Sequence, residues 1–286
     1  MVVGHKKQWE FLKKSADLHQ FSHAFLFSGQ EKLGKKKIAL EWASLLLGES
    51  VENFHPDLIL VEPQGKKEIQ IEQIRELIWK LSLKPYSASS KIAIIDEAHT
   101  MNHHAQTCLL KTLEEPRGET ILILISQAPE YLLPTIISRV ETLKFYPVAE
   151  EEIKKYLLGQ GAEEKTAEGI AEISLGRPGR ALDFLSQPQK IKSFQAKTDK
   201  IKKISAADLA LRFQYVKDLA EEPQDLKEDL DIWLSYFRNI LLSKENSRYS
   251  ASDLRNILKN IQTTEYLIST TNVNTKLALE NLMLRI

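Results

Sequence analysis

Short apolar runs that do not alternate constrain this chain more than any other feature. Ala24-Phe25-Leu26-Phe27, Leu58-Ile59-Leu60-Val61, Ile92-Ala93-Ile94-Ile95 and Ile121-Leu122-Ile123-Leu124-Ile125 stand apart, and the intervals between them carry helical spacing. A strand with one wet face alternates apolar and polar residues, whereas an unbroken apolar strand must be covered on both faces. Such runs separated by helices predict an α/β domain built on a parallel sheet. The pattern predicts strands at Ala24–Phe27, Pro56–Val61, Ile92–Ile95, Ile121–Ile125 and Val140–Phe145. It predicts helices over Ile38–Leu47, Ile71–Leu83 and Asn102–Leu113, with Pro147 closing the domain.

From Glu150 onward the periodicity is helical only. Helices are expected at Glu151–Leu158, Glu164–Ser174 and Arg180–Leu185, punctuated by Gly159-Gln160-Gly161 and Gly176-Arg177-Pro178-Gly179. After Pro188 they are expected at Ile191–Ile204, Ala206–Glu221, Leu226–Leu242, Ser252–Ser269 and Asn274–Ile286. The division expected is therefore 1–147 for the α/β domain, 148–188 for a small helical domain and 189–286 for an all-α domain. Leu226, Leu230, Trp233, Leu234, Phe237, Ile240 and Leu241 form a wide apolar stripe suited to a bundle core or a subunit interface.

Charge and cysteine content narrow the function. Lys plus Arg and Asp plus Glu are equal at 39 each, so DNA contact is expected to be local or made by partners. The single cysteine, Cys108, excludes an intramolecular disulfide and a four-cysteine zinc site. Met1 is followed by Lys6, Lys7 and Glu10 rather than by an apolar run, and no apolar stretch reaches the roughly 20 residues needed to span a bilayer. A cytoplasmic protein without membrane contact is expected.

The chemistry gathers at the ends of the strands. Gly29-Gln30-Glu31-Lys32-Leu33-Gly34-Lys35-Lys36 fits the phosphate loop G-x-x-x-x-G-K without its closing Ser or Thr. Gly29 and Gly34 would let backbone amides curl round phosphate oxygens, and Lys35 would reach the β- and γ-phosphates. The hydroxyl that ligates magnesium is missing, and the Lys36 ammonium adds repulsion where that ion would sit. Lys36 and Lys37 also put positive charge at the unfavourable end of the helix dipole. A degenerate loop, at most weakly occupied by ATP and Mg²⁺, competes here with a plain strand-to-helix turn bearing solvated lysines. Asp96 and Glu97 emerge at the carboxyl edge of the sheet, where Asp96 would act through Mg²⁺ and Glu97 would orient a water.

Leu109–Pro116 (LLKTLEEP) and Leu133–Arg139 (LPTIISR) are the most specific motifs, supported by the entry strand His23–Gly29 (HAFLFSG) and the tail Asn272–Leu282 (NVNTKLALENL). At these residues the chain closely resembles the AAA+ clamp-loader family of bacterial replicases. The resemblance implies a P-loop NTPase domain, a helical lid and an all-α collar. It also implies that the degenerate loop belongs to a subunit that does not hydrolyse ATP and requires no cofactor. The implied partners are the γ/τ and δ clamp-loader subunits, the sliding clamp, and primed DNA reached through the assembled complex.

Carried over residue by residue, Arg139 falls where the family's Ser-Arg-Cys motif holds an arginine finger, offered in trans to a neighbour's ATP. Val140 replaces the cysteine of that motif. Ser126 matches the polar sensor beside Asp96. The arginine of a second sensor aligns with Gly179, leaving Arg180 one place late. The plainer reading of Arg139 is a surface arginine in a salt bridge. The four-cysteine zinc module of many family members is replaced by Gly48–His55, so no metal is expected. His99, His103 and His104 near Cys108 read as solvated or packed histidines. Two alternatives stay open: an ATP-hydrolysing motor subunit, motivated by Lys35, Asp96 and Glu97, and a DEAH-type helicase, motivated by Asp96-Glu97-Ala98-His99.

Overall fold

The computed structural model of the chain describes residues 3–18, 22–50, 55–64, 68–116, 118–221, 226–243 and 248–286. Positions 51–54 of the short interval that stands in place of a zinc module lie outside the described residues. The chain divides into two units, Met1–Leu185 and Ser186–Ile286.

The first unit holds β1 (Ala24–Ser28), β2 (Leu58–Val61), β3 (Lys91–Ile95), β4 (Thr120–Ser126) and β5 (Glu141–Lys144). They form one five-stranded sheet of order β2-β3-β4-β1-β5, and every pairing is parallel. The helices are α1 (Lys6–Leu18), α2 (Lys35–Leu47), α3 (Ile71–Ser82), α4 (His103–Glu114), α5 (Pro134–Ile137), α6 (Glu150–Gly159), α7 (Glu164–Ser174) and α8 (Pro178–Ser186). Successive side chains of one strand enter two different cores. Phe25, Phe27, Ile92, Ile94, Ile121 and Ile123 meet Leu12, Ile38 and Trp42 of α1 and α2. Leu26, Ala93, Ile95, Leu122 and Leu124 meet Ile74, Leu77, Leu109 and Ile136 of α3, α4 and α5. This two-sided demand is why the strands read as unbroken apolar runs.

Helix α1 carries no counterpart among the expected elements. It is fixed by Leu12, fully buried, and by the Trp42 indole, which donates to the Leu12 carbonyl at 3.0 Å. Strand β2 begins at Leu58 rather than Pro56, because Asp57 is occupied differently. Its buried carboxylate accepts from the backbone N–H groups of Tyr86 at 2.7 Å, Ser87 at 2.9 Å and Ala88 at 3.1 Å, pinning the turn that leads into β3.

Burial alone would raise the Asp57 pKa, but these three donors outweigh it and hold the carboxyl below its usual range. A depressed folded-state pKa gives stability that is complete above the unfolded value of about 4 and lost as pH falls through the lower folded value. Asp57→Asn is therefore expected to cost about 2–3 kcal/mol at pH 7. The gap from wild type should close as the pH is lowered below about 4 in urea unfolding series.

The second unit is helical: α9 (Gln189–Ala206), α10 (Leu209–Glu221), α11 (Leu226–Ser243), α12 (Ala251–Thr270) and α13 (Thr275–Met283). Leu226, Leu230, Trp233, Leu234 and Phe237 pack with Ile201, Val216, Ile257, Ile261 and Leu279, so the stripe of α11 forms the core of this bundle. Among the described residues, no helix is long and apolar enough to cross a membrane.

Candidate functional site

Four parallel strands deliver the site. Ser28 of β1 pairs with Ser126 of β4, and Ile95 of β3 pairs with Leu124 of β4 and Val61 of β2, so the residues after these strands share one sheet edge. The chain leaves β1 through Gly29, whose φ of +151° and whose N–H bond to the Ser126 carbonyl at 3.1 Å turn it into the loop. A Cβ at Gly29 would lie 2.4 Å from the Phe145 carbonyl oxygen, so this position is held glycine by a backbone neighbour. Gly34, at φ +90°, precedes the first turn of α2 and has open space around it.

The lysines of the loop are engaged internally. Lys35 is only 6% exposed, and its ammonium donates to the carbonyls of Gly29 and Gln30. Burial lowers its pKa to about 8, helped by the Arg177 charge and opposed by Asp96, Glu31 and Glu97. Lys36 is partly exposed but held in ion pairs. Its Nζ lies 2.6 Å from Glu62 Oε2 and 3.2 Å from Asp96 Oδ2. Burial alone would lower its pKa, but the Glu62 hydrogen bond and the Asp96 charge raise it. Lys37 is exposed.

Asp96 also accepts the Glu97 N–H at 3.0 Å, and Glu97 itself sits at φ +50°, a left-handed conformation uncommon for a residue with a side chain. Glu31, Lys32, Gly34, Lys35, Lys36, Asp96, Glu97, His99 and Gln127 surround a cavity of about 270 Å³. Gln127, one residue past Ser126, borders that cavity and meets His99 at 3.3 Å. Ser126 is buried, and its hydroxyl accepts the Ala128 N–H at 3.1 Å.

Helix α8 closes on the loop from the other side. The Gly179 N–H donates to the Lys32 carbonyl at 2.8 Å, and Lys32 Nζ pairs with Asp183 at 2.7 Å. A Cβ at Gly179 would stand 2.9 Å from that same carbonyl oxygen, so backbone contact takes the space where an arginine side chain would start. Arg177 and Arg180 are both buried.

Arg139 lies apart from these groups. It follows α5, whose Ile136 belongs to the core on the α3 and α4 face, whereas α2 packs on the opposite face of the sheet. Its side chain is 34% exposed, and its guanidinium pairs with Glu114 of α4 at 2.7 Å and donates to the Thr135 carbonyl at 2.9 Å. The surface salt bridge of the plainer reading is thus present. Gln106 of α4 aims the segment: its amide donates to the carbonyls of Met101 at 3.0 Å and Tyr131 at 3.1 Å, and its oxygen accepts the Leu133 N–H at 2.8 Å.

The structure brings together Gly29, Gly34, Lys35, Asp96 and Glu97, with Ser126 beneath them and Arg139 outside the group. Sequence reasoning missed Glu62, Gln127 and Gln106. The signal for Glu62 was available, since it follows β2 as Asp96 follows β3. His103 and His104 are exposed at the start of α4, and among the described residues no group of three or more His, Cys, Asp or Glu could hold a metal.

A glycine-bounded loop running from a parallel strand onto a helix, faced by an acidic strand end, is the arrangement of a P-loop nucleotide-switch domain. A family model described as DNA polymerase III, delta subunit, matches residues 4–149. The DNA polymerase III δ′ subunit of Bacillus subtilis is 31% identical over 253 residues, 81% of this chain and 75% of that protein. The δ′ subunit of Pseudomonas aeruginosa is 36% identical over 137 residues, 42% of each chain. RuvB of Thermotoga maritima, a Holliday junction branch migration motor, shares the fold with a TM-score of 0.52 and 16% identity, over 93% of this chain and 87% of that one. The chain belongs to the family of DNA polymerase III δ′ subunits.

Proposed function

We propose that this chain is a clamp-loader subunit of the bacterial DNA polymerase III holoenzyme that does not hydrolyse ATP itself. It supplies Arg139 in trans to ATP bound by a neighbouring γ/τ subunit while the sliding clamp is loaded onto primed DNA. Residues 148–188 act as the lid and 189–286 as the collar through which it assembles with the γ/τ and δ subunits in the cytoplasm. No cofactor is required.

One observation carries this reading. The arginine that could act on a phosphoryl group is presented, partly exposed, on the α4–α5 side of the sheet, while the loop's own lysines are spent on internal partners. A guanidinium suits the task because it spreads positive charge over the transferring phosphoryl oxygens and cannot lose its proton. The Glu114 pair is an exposed ion pair worth at most about 1 kcal/mol, so it can hold Arg139 in readiness and release it to a phosphate.

A motor subunit is the competing reading, favoured by the convergence of Lys35, Asp96 and Glu97 on one cavity. Mg²⁺-ATP binding and turnover by the purified chain separate the two. The expected result is no turnover, with Lys35→Ala indistinguishable from wild type. Turnover that disappears in Lys35→Ala would establish the motor.

A further inference from the structure

Loops of this class imply a magnesium ion held by the hydroxyl that closes the motif and by the acidic residue at the neighbouring strand end. The residues present do not fit one. Position 36 contributes an ammonium, which has three donors and no lone pair for a metal. That ammonium is also already seated on the carboxylates a metal would need, 3.2 Å from Asp96 and 2.6 Å from Glu62.

The pairing of the strands explains why a cation is needed there. Val61 of β2 lies beside Ile95 of β3, so Glu62 and Asp96 leave adjacent parallel strands side by side. The Asp96 N–H is bonded to the Val61 carbonyl at 2.8 Å, which fixes that register at the carboxyl edge. Two carboxylates this close repel one another unless a positive charge lies between them. Lys36, on the first turn of α2, bridges both from the third element of the site. Among the described residues, Lys36 is the ion-pair partner of both Glu62 and Asp96.

We propose that Lys36 is a tethered counter-ion standing in the place of the divalent cation, so that the loop excludes magnesium and its two carboxylates are bridged by a positive charge without it. The proposal rests on this cluster alone and not on the role of Arg139. Loss of either leaves the other standing, because one is read from metal binding by the single chain and the other from ATP hydrolysis by the assembled ring.

The test is Mn²⁺ binding to the full chain without nucleotide, followed by electron paramagnetic resonance, with thermal melting in the presence and absence of Mg²⁺. Wild type and Lys36→Arg, which keeps the charge, are expected to show no Mn²⁺ binding that depends on Asp96 and no Mg²⁺-dependent rise in Tm. Lys36→Thr removes the charge and adds an oxygen ligand, and is expected to bind Mn²⁺ at least about tenfold more tightly than wild type. Its Tm should fall and be partly restored by Mg²⁺, with both effects lost in Lys36→Thr combined with Asp96→Asn. Asp96-dependent Mn²⁺ binding by wild type would overturn the proposal, and so would equal Mn²⁺ binding by wild type and a folded Lys36→Thr.

Discussion

Replacing Arg139 with alanine is expected to slow ATP hydrolysis at the adjoining site of the reconstituted clamp loader by on the order of 10³-fold. The chain itself should remain folded. Arg139 is a third exposed, and its contacts are one surface ion pair with Glu114 and hydrogen bonds to Thr135 and Ser138, so its removal should cost no more than about 1 kcal/mol. A large kinetic loss with a small stability loss is the mark of a group that acts on a phosphate outside its own subunit. Arg139→Lys should recover only part of the activity, because a point charge lacks the planar fork of a guanidinium. Single-turnover hydrolysis separates the affected site from the others, and a melting curve of each variant supplies the control.

Gly29→Ala is expected to be the most damaging single-methyl change in the site, although no phosphate need be involved. The φ of +151° strains any residue with a side chain, at about 1–3 kcal/mol. The added Cβ would also meet the Phe145 carbonyl oxygen at 2.4 Å, where only movement of the backbone beyond β5 can relieve it. Together these cost roughly 4 kcal/mol, which for a unit of this size lowers Tm by about 10 °C. Gly34→Ala supplies the contrast. Its φ is +90° but nothing lies within 4 Å of the added methyl, so the cost should be about 1 kcal/mol. Equal losses in the two variants, measured by differential scanning calorimetry, would show that the contact with Phe145 does not decide the outcome.

These two glycines show how the sequence and the structure divide the information. The motif reading assigned Gly29 and Gly34 one shared duty, the curling of amides round a phosphate. In the structure Gly29 is demanded by the backbone of Phe145, just past β5, the edge strand that pairs with β1 but lies far from it in sequence, a contact no local pattern encodes. The sheet itself was legible because burial on two faces leaves an unmistakable trace in runs such as Ile92–Ile95. Helix α1 was not, since its apolar residues are few and most of its length is exposed.

The loop was legible in kind and not in detail. A lysine in place of the closing hydroxyl marked the loop as degenerate. That Lys36 reaches both Glu62 and Asp96 depends on the register between β2 and β3, which is a tertiary fact. Arg139 stood out from its setting after a proline turn. Its partner Glu114 lies within LLKTLEEP, so the two most specific motifs of the sequence meet in space. Their adjacency follows from the packing of α4 against α5, which Gln106 fastens through the backbone of residues 131–133.

Where Arg139 acts is measured most directly by the structure of the assembled loader with a transition-state mimic of ATP. The guanidinium of Arg139 should have left Glu114 and lie within hydrogen-bonding distance of the γ-phosphate position on the neighbouring subunit, with no nucleotide in the loop between Gly29 and Lys36. Nucleotide bound in that loop, with Arg139 still paired to Glu114 and no phosphate beside it, would contradict the account.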